Sequence, residues 1–143
     1  MSSPEFDILR ARHPAYHAFV SEMETILART LRKDPEAVID DRVVVQELRS
    51  APQLAKMPRD QQQDVAEKLL LELVSIRALR TVFLWICANG FGTVRETETL
   101  SAFPSFIFCE RCGEAHPFSR QEVEVHFLPT ADLIDHLLAI NEV

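Results

Sequence analysis

From Pro14 to Lys33 the apolar residues Tyr16, Phe19, Val20, Met23, Ile26, Leu27 and Leu31 return at steps of three and four. That is the period of an amphipathic helix. Pro14 suits the first helical position, and Arg29, Arg32 and Lys33 complement the negative end of the helix dipole. Asp34-Pro35 stops this segment, and Asp40-Asp41 is the next cap, ahead of Val43, Val44, Val45 and Leu48. Three consecutive valines suit a strand as well, but the following Gln-Glu-Leu-Arg and the close flanking caps favour a short helix. Ser50-Ala51-Pro52 breaks it, and residues 53–57 read as a turn or one helical coil. Strong helix formers dominate from Arg59, where Val65, Leu69, Leu70, Leu73, Val74 and Ile76 make an apolar face wide enough for a central helix touched on two sides.

The pattern then becomes ambiguous. Thr81–Cys87 is an unbroken apolar run, and it is expected to continue the helix as far as Asn89-Gly90, giving about 28 residues and about 42 Å. The rival is a buried strand after a shorter helix, which the β-branched and aromatic content allows. Two of the three glycines lie at Gly90 and Gly92, and strand signals come after them. Thr93–Leu100 alternates weakly, Ser105–Cys109 is short and aromatic, and Glu122–Leu128 places Val123, Val125 and Phe127 on one face. An antiparallel hairpin or three-stranded meander is expected, with its loop between the last two of these segments. Pro129-Thr130 then caps a final helix through Leu133, Ile134, Leu137, Leu138 and Ile140. The expected class is α+β: three or four N-terminal helices over residues 1–92, then a small hairpin and a C-terminal helix over 93–143, which can pack as one compact domain.

Composition narrows the function classes. A hydrophobic content of 47% is enough for a sizeable core. The formal charge of −7 and pI near 5.2 disfavour nucleic acid as a general partner and suit a protein that meets other proteins or itself. No run approaches the roughly 18 apolar residues of a membrane span. The opening Met1–Phe6 has no basic, then apolar, signal character; its Ser-Pro-Glu-Phe also matches a common cloning remnant and is set aside from the fold expectation. Three cysteines without a signal favour reduced thiols and a cytoplasmic location.

Only one stretch implies chemistry by its residue order. Phe106-Ile107-Phe108-Cys109-Glu110-Arg111-Cys112-Gly113 sets two cysteines on a tight turn, with a glycine that permits the left-handed backbone turning amides toward thiolates. These eight residues resemble the knuckle of a zinc ribbon or a rubredoxin-like half-site. A full ribbon repeats the Cys-x-x-Cys pair downstream, and this chain does not. The resemblance implies a structural Zn2+, which needs two more ligands. His116, shortly after Cys112, and His126, on the polar face of the returning strand, would close a Cys109, Cys112, His116, His126 site within one hairpin. Cys87 is the alternative ligand, giving three cysteines and a histidine if the 88–92 turn brings it near; His136 is a weaker candidate. A thioredoxin-like role is disfavoured because no helix opens at the pair.

No phosphate loop, nucleophile elbow or His-Glu-x-x-His helix occurs, so nothing positive points to an enzyme. The leading expectation is a non-catalytic zinc-binding interaction or adaptor protein, as a subunit of a larger assembly. The alternatives are a DNA-binding regulator, with the short and long helices as a helix-turn-helix beside a structural zinc, and a small metalloenzyme with an open zinc position.

Overall fold

The computed structural model describes residues 2–54 and 56–140. Met1, Ala55 and residues 141–143, which the expected ranges 1–92 and 93–143 include, lie outside them. The architecture is α+β: α1 (Pro4–Arg12), α2 (His17–Lys33), α3 (Asp41–Leu48), α4 (Arg59–Ser75), β1 (Leu79–Ile86), β2 (Thr93–Thr97), β3 (Phe106–Cys109), β4 (Glu114–Pro117), β5 (Val123–Pro129) and α5 (Ala131–Ala139). Two compact units emerge. One holds residues up to Arg80 together with the segment from Phe127 onward; the other is Thr81–His126. The boundary expected after residue 92 falls inside the second unit.

In the first unit the hydrophobic pattern of α2 buries Phe19, Val20, Met23, Ile26, Leu27 and Leu31. Against this face pack α1, α3 and α5. The segment set aside as a cloning remnant is part of the core, which corrects the expectation. Ser3 caps α1 by accepting from the Phe6 N–H at 3.4 Å, Pro4 takes the first turn, and Phe6 and Leu9 are fully buried. The cap at Asp40 is as expected, with its Oδ1 accepting from the Arg42 N–H at 2.9 Å. The Gln62 side chain donates to Leu54 O and Met57 O, which ties the 3₁₀ turn Pro52–Leu54 to the start of α4.

The long helix expected through Cys87 ends twelve residues earlier, at Ser75. Arg77 adopts φ 64°, its N–H donates to Val74 O at 3.0 Å, and the Ala78 N–H donates to Leu73 O at 2.8 Å. That bond pair is the Schellman stop, made here without the usual glycine. Beyond the stop the chain runs on as a strand: β1 is the central member of a three-stranded sheet in the order β2-β1-β5. A strand in that position reads as a continuous apolar run, which is why periodicity alone does not separate it from helix.

The second unit pairs β1 with β2 in the register Phe83↔Thr97, Leu84↔Glu96, Trp85↔Arg95, with a bulge before Ile86↔Thr93. Trp85 is fully buried and meets Phe103 and Phe118 edge-on at 5.7 and 5.5 Å. The expected pairing of the 105–109 and 122–128 strands is also corrected. β3 instead pairs with β4, a segment expected to be loop, in the register Ile107↔His116 and Cys109↔Glu114. β5 joins β1 in the other sheet. No helix among the described residues is long and apolar enough to cross a membrane.

Candidate metal centre

Two hairpin turns build the centre. The first joins β1 to β2: the Cys87 N–H donates to Gly92 O at 2.8 Å, the Gly90 N–H donates to Cys87 O at 3.0 Å, and Gly90 takes φ 82°. The second joins β3 to β4, where the Gly113 N–H donates to Cys109 O at 2.8 Å and Gly113 takes φ 78°. Positive φ at these glycines turns the chain so tightly that sulfurs from both loops face one point.

Cys87, Cys109, Cys112 and His116 offer four ligand atoms, all within 4.8 Å of one another. His116 Nε2 lies 3.1 Å from Cys112 Sγ and 3.5 Å from Cys87 Sγ, and the Cys87 and Cys109 sulfurs are 3.9 Å apart. An ion bound tetrahedrally at about 2.3 Å from sulfur and about 2.0–2.1 Å from nitrogen spaces its sulfurs about 3.8 Å apart and sulfur from nitrogen about 3.6 Å apart. The cluster matches that figure closely enough to be compatible with a bound metal ion. Cys87, Cys109 and His116 are buried, while Cys112 is half-buried.

The loops also prepare the thiols. Cys109 is held below the ordinary thiol range, first by the Cys112 N–H aimed at its sulfur and then by that of Arg111, against the opposing effect of burial. Burial pushes Cys87 upward, but the N–H groups of Phe91 and Asn89 outweigh it and leave this thiol lowered as well. For Cys112 burial prevails and the thiol is raised, although the Glu114 N–H and the Asn89 side chain act the other way. Metal binding requires thiolates. Two of the three are predisposed to that form.

Two contacts lock the loops together. The Asn89 amide donates to Glu114 Oε2 at 3.0 Å, and Arg111 Nη1 donates to Phe91 O at 2.9 Å. Neither residue is legible as a site residue from spacing alone; the Asn-Gly turn directly after Cys87 is the available signal. Among the residues expected from the sequence, Cys109, Cys112 and His116 come together, joined by Cys87. His126 stands outside the cluster, with Nε2 3.4 Å from Glu124 Oε2. His136 is on α5, bound to Glu5 at 2.6 Å. No protein-family profile, curated protein sequence or solved structure matches this chain. The likeness to zinc ribbons therefore rests on the knuckle itself.

Proposed function

We propose that the protein is a non-catalytic interaction or adaptor protein whose second unit is folded around a structural zinc held by Cys87, Cys109, Cys112 and His116. The observation that carries this reading is the set of four convergent donors on two hairpins joined by hydrogen bonds. Three sulfurs and an imidazole suit Zn2+ by softness, and a tetrahedral ion with four protein ligands keeps no position for water. That counts against the metalloenzyme alternative, which needs an open position. Function then lies on the surfaces that the zinc-bound hairpins present.

The test is elemental analysis of protein purified without a metal-affinity tag. About one zinc per chain, lost on Cys87→Ser and on Cys109→Ser, is the expected result. A metal-free wild type of unchanged fold would sink the zinc reading.

One observation favours a DNA-binding regulator: the cleft of about 500 Å3 between α3 and α4 is lined by Arg42, Arg49 and Arg59. Against it, Arg42 is engaged by Asp40 at 3.0 Å. The connection 49–58 also far exceeds the three- or four-residue turn of most helix-turn-helix motifs. Salt-dependent binding to a DNA duplex would revive that reading.

A further inference from the structure

We propose that the slot between the outer edges of β2 and β3 docks an extended, strand-forming segment of a partner protein that carries apolar side chains and an acidic residue. This rests on the interaction reading above and gives it a surface and a partner chemistry. β2 is the outermost strand of its sheet, and β3 belongs to a separate two-stranded sheet, so each has an edge that no strand among the described residues pairs. A cleft of about 360 Å3 runs between them, lined from β2 by Thr93, Val94 and Arg95 and from the other side by Ile107, Phe108 and Arg111. No β4 residue lines it, so the cleft is on the outer side of β3. Open edges offer unused backbone N–H and C=O groups, the groups through which an added strand binds.

The side chains agree with an occupant. Along β3 the even positions Phe106 and Phe108 point away from the metal ligands and are 66% and 58% exposed. Their register partners Pro117 and Ala115 are exposed as well, so this ribbon face carries no polar side chain. Edge strands with no partner are ordinarily blunted by charge; this one carries two bare phenylalanines. The charged residues that line the cleft are Arg95, Arg111 and Glu110, a net of one positive charge. Arg95 and Arg111 face it, and Arg111 uses one guanidinium nitrogen on Phe91 O, which leaves donors for a carboxylate. A second copy is the poorer occupant, because each chain has a formal charge of −7 and would bring the same basic cleft against this one.

The experiment is selection of random twelve-residue peptides, displayed on phage, against the untagged full chain, with zinc content measured on the same preparation. Enriched peptides are expected to alternate apolar residues and to contain Asp or Glu. Their binding is expected to perturb backbone amides of β2 and β3 and to weaken about tenfold or more on Phe108→Ser and on Arg95→Glu. Leu71→Ser, on the exposed face of α4, is expected to leave the affinity unchanged. Failure of any sequence to enrich would overturn the proposal. So would amide changes confined to other elements, or equal affinity in both cleft variants at unchanged zinc content. The two readings fail separately: a zinc-loaded chain that selects no peptide loses the docking site alone. A zinc-free chain that binds peptide at β2 and β3 loses the metal alone.

Discussion

His116 touches two of the three sulfurs, so its imidazole links the two hairpins as well as offering a ligand atom. His116→Ala and Cys87→Ser are each expected to abolish stoichiometric zinc, while His126→Ala, which removes a ring outside the cluster, leaves it intact. Elemental analysis of the three variants decides this. A loss in His126→Ala with retention in Cys87→Ser would restore the single-hairpin site. Asn89 acts one step further out, holding Glu114 and facing the Cys112 sulfur. Groups of this kind typically tune metal affinity by about 10–100-fold. Asn89→Ala should weaken zinc by that much in a chelator competition while the ligand count stays the same. At the other end of the chain, the buried Glu24 carboxylate accepts from the Ser3 N–H at 2.9 Å, the Ser3 hydroxyl at 2.8 Å and Arg10 at 3.3 Å. Glu24→Ala leaves the buried Ser3 N–H and hydroxyl without this acceptor, while Arg10 keeps Asp7 and Ser21, and should cost about 1–3 kcal/mol in urea denaturation. A change under about 0.5 kcal/mol would mean that α1 is not held by this network.

Among the elements, the stop of α4 separates what the sequence could disclose from what it could not. The capped or strongly periodic helices α2, α3 and α5 are legible because apolar spacing and caps agree. The end of α4 is not, because the left-handed residue that stops it is Arg77, and nothing in an arginine announces positive φ. Once that stop is missed, β1 inherits the helix, and the pairing of β3 with β4 is missed as well, since Glu114–Pro117 is too short and too polar to read as a strand. The candidate site was legible to the extent that its residues are local. Cys109 and Cys112 are evident from spacing, whereas Cys87 is only an alternative in the sequence, conditional on the 88–92 turn, and converges because β1 is a strand ending at that turn. Arg77→Gly removes the left-handed strain, worth about 1–2 kcal/mol, at an entropy cost of about 0.5–1 kcal/mol. Thermal unfolding should therefore show a gain of about 0.5–1 kcal/mol, and Arg77→Val a loss. The tie between α1 and α5 is pH-dependent. The hydrogen bond to Glu5 raises His136 above its ordinary value despite the opposing effect of burial. Its stabilising effect is thus full below the unfolded value of about 6.5 and is lost as pH rises through the higher folded value. The melting temperatures of wild type and His136→Gln should differ at about pH 5.5 and converge by about pH 9; a gap that widens with pH would contradict the tie.

For the molecule as a whole, the two units have unequal means of staying folded. The first buries long apolar faces from five helices, including the fully buried Leu9, Met23, Leu31, Leu48, Leu70 and Leu73. The second has two short hairpins around Trp85, Phe103 and Phe118, and beyond these its deeply buried residues include two cysteines and the histidine of the cluster. A two-stranded hairpin is marginal by itself in water. Structural zinc contributes an apparent binding energy on the order of 10–16 kcal/mol, enough to decide the folding of such a segment. Trp85 is the sole tryptophan, it is in the second unit, and its indole N–H reaches Glu122 at 3.4 Å. It therefore reports on the second unit while far-UV circular dichroism reports mainly on the helices of the first. Excess chelator is expected to shift Trp85 emission to the red and increase its quenching by iodide, with most of the helical signal retained, and added zinc is expected to reverse both changes. Simultaneous collapse of the helical signal would mean that the helices do not hold without an intact second unit. Complete zinc removal with unchanged Trp85 emission would mean that the ion, although bound, does not hold the fold.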